Sequence, residues 1–581
     1  MFKTRLTTCH RTLMALPLFA LAGLMVTLTP PRLLADATPE AMRSPVNQVY
    51  QFVQSGECAA WADGSKTRAT AYLWIPEKCD KLRGLIILCS NVPEQMLAGH
   101  PALRETCAAN NLGIIWCPRS FYNFKAKQEN KTQVAFLQQL LDGLAATSGY
   151  AEVATVPWLP MGESGHLLMV DALVEAAPER CLAGIWLKNN HLPPKNRTTP
   201  ALVIYGTAQE WGQDKPNKQN TDLRTRWNSA VEEYNSILAQ RRKNPDWALS
   251  YTIDGGSGHF DCSERVSQMV IRYVGQVAKA RLPQDGSNTL LPVDVSKGFL
   301  ADMPVPGHEN RPATAFSATA AQARGVPWFF DQSSAQDAQA IARINWKAQS
   351  QFPSITDAKG NLFPYNFNGI PWITLNATPK ADANGKVPPM LESEPDGITF
   401  QLKGVLLDTI PASFVGAGAG EALAKAPGEP TLEWLSGCVE PLGNNRFRLA
   451  PDRNWPSPIY VAVRHKGTAE IRDVVQPAQI GRDFNEAGTP QKITFQKIAD
   501  VPAGTAPIPL KATADSGLPV GFFVEVGPAK VIDDRLVFTG IPPRSRLPIT
   551  VTVAAWQFGR WAEPKIKRAE IVRQTFQIVP N

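Results

Sequence analysis

At 581 residues, with 44% hydrophobic and 19% charged side chains, the chain is neither disordered nor fibrous, and it is too long for one ordinary core, so roughly two to four domains are expected. The formal net charge is +7. Loss of a leader ending at Ala37 removes Lys3, Arg5, Arg11 and Arg32 together with Asp36 and leaves +4, too mild a balance to point to nucleic acid.

The first residues read as an address. Lys3, Arg5 and Arg11 precede an apolar run over 13–28, and Ala35-Asp36-Ala37 offers a small-x-small cleavage site. The run is short for a membrane span, which takes about 20 residues, and no later stretch is long enough to be one. Export with removal of a signal peptide, residues 1–37, is expected, leaving a periplasmic or secreted protein; an uncleaved anchor is the rival reading. Of nine cysteines, Cys9 leaves with the leader, and seven of the other eight lie before residue 263. Any cross-links of an oxidising compartment therefore fall in the first domain, with their pairing open. Cysteine and histidine spacing matches no zinc site, so no metal is expected, and no cofactor either.

From 45 to 285, apolar runs at 69–75, 84–89, 112–117, 155–161, 182–187, 200–205 and 247–253 alternate with amphipathic stretches such as 133–146 and 222–240. Continuous apolar strands separated by helices predict an α/β fold with a doubly wound, mostly parallel sheet covered on both faces. Ligands of such sheets bind at the carboxyl ends of the strands. One of those ends carries Met161-Gly162-Glu163-Ser164-Gly165-His166, an apolar run, a small-residue turn tipped by one serine, and a helical pattern directly after. This is the outline of a nucleophile elbow, with His166 at the fifth position where G-x-S-x-G has glycine.

Two partners follow in order. The run 200–205 leads into Gly206-Thr207-Ala208-Gln209-Glu210-Trp211, and 247–253 leads into Asp254-Gly255-Gly256-Ser257-Gly258-His259. A serine hydroxyl is a weak nucleophile until an imidazole takes its proton, and the imidazole needs a carboxylate to fix its tautomer. The expected catalytic residues are thus Ser164, His259 and Glu210, with Asp214 and Asp254 as substitutes for the acid. Backbone N–H groups of Gly165 and of Asn91, in Leu88-Cys89-Ser90-Asn91-Val92, are the expected oxyanion hole.

This order on this strand pattern resembles the α/β-hydrolase fold over roughly residues 45–285. With Ala71-Tyr72-Leu73-Trp74-Ile75-Pro76, His100-Pro101 and Glu210-Trp211, the chain is similar to exported bacterial α/β-hydrolases, often found among polysaccharide-degrading proteins. It departs from their common Gly-His-Ser pattern by carrying Glu163 before the serine. Glu94, His100, His191 and Trp211 follow strand ends; Glu94, His100, Trp211 and His166 are the candidate substrate-binding residues, Trp211 as a wall for a sugar or aryl ring.

The segment 286–364 holds Val326-Pro327-Trp328-Phe329-Phe330-Asp331, adjacent aromatics that need a surface to bury against, and reads as an arm docked on the first domain. Beyond it, 365–485 shows short alternating runs between Gly/Pro turns, a β-rich domain. Residues 490–579, with Ile549-Thr550-Val551-Thr552-Val553 among their runs, resemble bacterial immunoglobulin-like domains, which implies a β-sandwich spacer without chemistry. His308 and His465 are expected at the surface. The reading is a secreted serine hydrolase of a carboxylic ester, an acyl ester on a polysaccharide or a smaller ester. The alternatives are a serine peptidase on the same fold and a non-catalytic envelope protein that keeps the shell.

Overall fold

Apolar runs of five residues, too short for helices and flanked by turn residues, become the buried strands of one sheet. The computed structural model describes residues 48–57, 68–118, 130–188, 196–206, 223–254, 259–343, 348–349, 351–363, 375–376, 394–396, 398–409, 423–451, 453, 458–480, 485–560 and 563–581. Strands β1 (Phe52–Glu57), β2 (Arg68–Trp74), β3 (Gly84–Leu88), β4 (Leu112–Trp116), β5 (Trp158–Glu163), β6 (Gly184–Leu187), β7 (Ala201–Tyr205) and β8 (Leu249–Ile253) lie in the order β1-β2-β4-β3-β5-β6-β7-β8. β1 and β2 are antiparallel, and β4 through β8 are parallel. Every residue of β3, β4, β7 and β8 is buried, as a sheet covered on both faces requires. Helices α1 (Val92–Ala98), α2 (Pro101–Ala109), α3 (Asn130–Ser148), α4 (Leu167–Ala176) and α5 (Leu223–Lys243) lie in the crossovers, and α6 (Glu264–Arg281) follows β8.

The strand order reverses at β3, which has β4 on one side and β5 on the other. Such a reversal opens a crevice at the carboxyl ends, between the loop after β3 and the turn after β5.

The arm folds against the far end of this sheet. It contributes β9 (Phe299–Leu300), β10 (Thr314–Ala315), α7 (Ala318–Arg324), β11 (Trp328–Phe329) and α8 (Gln332–Ile341). Trp328 and Phe329 are buried. The Ser250 hydroxyl of β8 donates to the Trp328 carbonyl at 2.7 Å, and the Thr252 hydroxyl to the Ala338 carbonyl at 2.8 Å.

Two four-stranded sheets follow. One has the order β12 (Pro353–Asp357), β14 (Thr399–Leu406), β17 (Arg446–Leu449), β16 (Val439–Gly443); the other β13 (Leu375–Asn376), β19 (Val474–Ile480), β18 (Ile459–His465), β15 (Thr431–Ser436). Ile355, Phe400 and Phe447 of the first share a core with Trp434, Val461 and Val463 of the second. The last region, 490–579, is β-rich, led by a four-stranded sheet of Val501–Pro502, Val572–Val579, Ile549–Trp556 and Gly521–Val526. It is fastened to the α/β sheet: the Gly527 N–H donates to the Tyr50 carbonyl at 2.8 Å, and Arg544 pairs with Glu152 at 2.9 Å.

Cys79, Cys89, Cys107, Cys117, Cys181 and Cys262 are buried thiols in no disulfide. They lie in the apolar core around the sheet, where a thiol packs as a small hydrophobe; Cys58 lies outside the described residues. His465 is buried rather than at the surface, held by Gln351 and the Gly428 carbonyl at 3.0 and 3.1 Å. Among the described residues no helix is long and apolar enough to cross a membrane.

Candidate active site

β5 delivers the central residue. Its six residues are buried, and the chain then turns through Ser164–His166 into α4. Ser164 has φ +53°, the left-handed region that costs a residue with a Cβ about 1–2 kcal/mol and persists only where the surroundings over-determine it. Gly162 shows why the approach is tight: a Cβ there would lie 2.6 Å from the His166 carbonyl oxygen and 2.9 Å from Val170 Cγ2. Gly162→Ala is therefore expected to cost about 1–3 kcal/mol, the usual penalty of overpacking, and to shift the serine. Thermal unfolding and the rate of serine labelling, measured on the same sample, check it.

β8 is the last strand of the sheet, and His259 beyond it brings Nε2 to 2.8 Å from Ser164 Oγ. With the ring proton on Nδ1, Nε2 accepts from the serine hydroxyl. The ring is 5% exposed and packs edge-on against Phe260, with centroids 4.6 Å apart. A strand, a left-handed serine, a helix, and an imidazole from the end of a later strand meet at the carboxyl edge of a parallel sheet. This is the α/β-hydrolase fold.

The sequence matches no protein-family model and no curated protein. Among solved structures, it is similar to the siderophore hydrolase EstA from Aspergillus nidulans, at 9% identity and TM-score 0.27, over 39% of this chain and 95% of that one. It is similar also to the Pyrococcus furiosus esterase Pf2001, at 13% identity and TM-score 0.25, over 44% of this chain and 97% of that one. A third is LpqC, a poly(3-hydroxybutyrate) depolymerase from Bordetella parapertussis, at 14% identity and TM-score 0.26, over 42% of this chain and 96% of that one.

Around this elbow the carboxylates have distinct tasks. Glu163, fully buried, brings Oε1 to 3.3 Å from His259 Nε2. The imidazole edge that faces the serine thus also faces an acid. Its place directly before Ser164 is the signal the sequence carries for a charge beside the site.

Glu94 lies beneath the site as a brace, not at a pocket wall. It is 0% exposed. Its Oε1 accepts the Glu163 N–H at 2.9 Å, and its Oε2 accepts the Asn91 N–H at 3.0 Å and His166 Nδ1 at 2.8 Å. The Asn91 side chain in turn donates to the Glu163 carbonyl at 2.8 Å. The loop after β3 is thereby stitched to the elbow. Asn91, expected to offer its N–H to an oxyanion, spends it on Glu94, because the same loop must start α1 with a capping box. Burial draws the His166 imidazole toward neutrality, but the adjoining Glu94 carboxylate outweighs it and holds the ring at a pKa of about 9. His166 is therefore a cation locked into the brace rather than a substrate contact. Gly165 begins the turn after the serine, where the first N–H groups of a helix have no acceptor within it.

His100 caps α2, its Nδ1 accepting the Ala102 N–H at 3.2 Å and its Nε2 3.3 Å from Glu264; it is engaged in helix structure, not in a substrate wall. Asp254 forms a buried ion pair with Lys188, 2.6 Å from Nζ to Oδ2. Glu210, Trp211 and Asp214, in 207–222, and His191 lie outside the described residues. Among the described residues, no three His, Cys, Asp or Glu side chains cluster as metal ligands do.

Proposed function

We propose that the chain is an exported serine hydrolase that cleaves carboxylic esters by way of an acyl-enzyme. The observation that carries this reading is the Ser164 hydroxyl, held in a left-handed turn 2.8 Å from His259 Nε2. As Oγ bonds to the carbonyl carbon of an ester, Nε2 takes the hydroxyl proton. The charge that develops on the carbonyl oxygen is met by the Gly165 N–H at the start of the helical turn. His259 hands its proton to the departing alkoxide, leaving Ser164 acylated. Water, deprotonated by the same imidazole, then releases the acid and restores the hydroxyl. Glu163 faces Nε2 while the ring is charged, and Glu210 is the proposed acid on the Nδ1 side. An acyl ester on a polysaccharide is the proposed substrate, with Trp211 as the surface a sugar ring would stack on.

A fluorophosphonate probe tests the chemistry directly. The folded full chain is expected to be labelled at one residue, and Ser164→Ala to abolish the label. Aryl acetates are expected to turn over and peptide amides to resist. A folded, unlabelled wild-type protein would overturn the enzyme and leave a binding protein in a hydrolase shell. Peptide turnover exceeding that of aryl esters would make it a peptidase. Acetylated and feruloylated glycans then separate a polysaccharide ester from a smaller one.

A further inference from the structure

The segment that carries His259 is held from two sides. Upstream, Asp254 at the end of β8 is tied to Lys188 at the end of β6, a link within the hydrolase sheet. Downstream, the partners belong to the β-rich region. Asp261, two residues after the histidine and fully buried, pairs with Arg464 of β18. Arg464 also reaches Glu433 of β15, Nε to Oε2 at 2.7 Å. Between these, Phe260 stacks on Tyr460 of β18 with centroids 5.9 Å apart and planes 28° apart, and it also meets the His259 ring in a T-shaped contact. The loop after β3 is backed by the same region, since α1 packs against β15. One β layer thus supports both banks of the site.

We propose that the β-rich region sets the position of the catalytic imidazole, with Arg464 on Asp261 and Tyr460 on Phe260 as positioning residues for His259. This rests on the serine-hydrolase reading above. The physical reason is leverage. A bond to the residue two places from His259 fixes the backbone from which the ring projects, and proton transfer to Nε2 tolerates little displacement: a shift of about 1 Å can lower a rate by about 100-fold. Plain interdomain adhesion would not need a buried carboxylate at that place, and it is served elsewhere, for example by Arg453, which donates to the Gln48 and Val524 carbonyls.

The test uses the full chain and an aryl acetate, with kcat, KM, the fluorophosphonate labelling rate and the unfolding midpoint measured together. Arg464→Gln is expected to lower kcat and the labelling rate by roughly 10- to 100-fold with KM within twofold. Arg464→Lys, which keeps the charge but loses the fork, is expected to recover part of the loss. Tyr460→Leu removes the stacked ring without touching a charge; it is expected to lower kcat severalfold and carries the test should Arg464→Gln fail to fold. Folded variants with wild-type kcat and labelling rate would overturn the proposal, as would losses in kcat that simply follow the unfolding midpoint. Absence of labelling in the wild type would instead remove the hydrolase reading on which the proposal stands.

Discussion

Replacing His259 by alanine is expected to lower kcat/KM for an aryl ester by about a millionfold, and the double variant with Ser164→Ala to lose nothing further. A serine without its base is left with binding and oxyanion stabilisation alone, and members of such a unit are grossly non-additive, each costing about as much as all together. The prediction is sharp here because Nε2 lies within hydrogen-bond reach of the Ser164 hydroxyl, at 2.8 Å. Steady-state kinetics on the two single variants and the double settle it. Activity above about one per cent in His259→Ala would mean that another group removes the proton, and multiplicative losses in the double would mean that the two residues do not act as one.

The second large effect is on stability. Glu94→Ala is expected to destabilise the fold by about 3–5 kcal/mol, the penalty of removing one partner from a buried ion pair, because it strands His166 and leaves the Glu163 and Asn91 N–H groups without their acceptor. The same brace imposes a pH dependence. His166 titrates near 9 in the folded protein and near 6.5 in an unfolded chain. Its contribution is fully present below about pH 6.5 and is lost as the pH climbs through 9, by a total on the order of 3 kcal/mol. Urea midpoints measured from pH 6 to 10 are expected to fall across that window in the wild type and to lose most of that slope in Glu94→Gln. A flat wild-type profile would show that the carboxylate does not hold the imidazole charged.

The strands of the parallel sheet are legible because full burial demands continuous apolar residues; β3, β4, β7 and β8 are such runs and little else. β1 is not. Its residues Gln54, Ser55, Gly56 and Glu57 follow only two apolar ones, since an edge strand half open to solvent needs no second apolar face. β5 begins at Trp158 rather than near 155 because a short helical turn over Ala151–Ala154 and Pro157 take up the chain before it. The elbow was readable from local residue order, as was the histidine after a glycine-rich loop. The tasks of Glu94 and His166 were not, because a carboxylate at a strand end looks the same whether it faces solvent or three buried donors. The bond from Arg464 to Asp261 joins residues 203 apart, and no local pattern announces a pairing of that kind.

The arm bears on what can be cut from this protein. Ser250 and Thr252 are buried hydroxyls whose acceptors are carbonyls of Trp328 and Ala338, and Arg241 of α5 donates to the carbonyl of Val326 at 3.2 Å. An excised fragment ending near 285, where the strand and helix alternation stops, would uncover all three donors together with the apolar surface under Trp328 and Phe329. The α/β unit is therefore longer than its sheet, and any boundary placed before the end of α8 breaks these contacts.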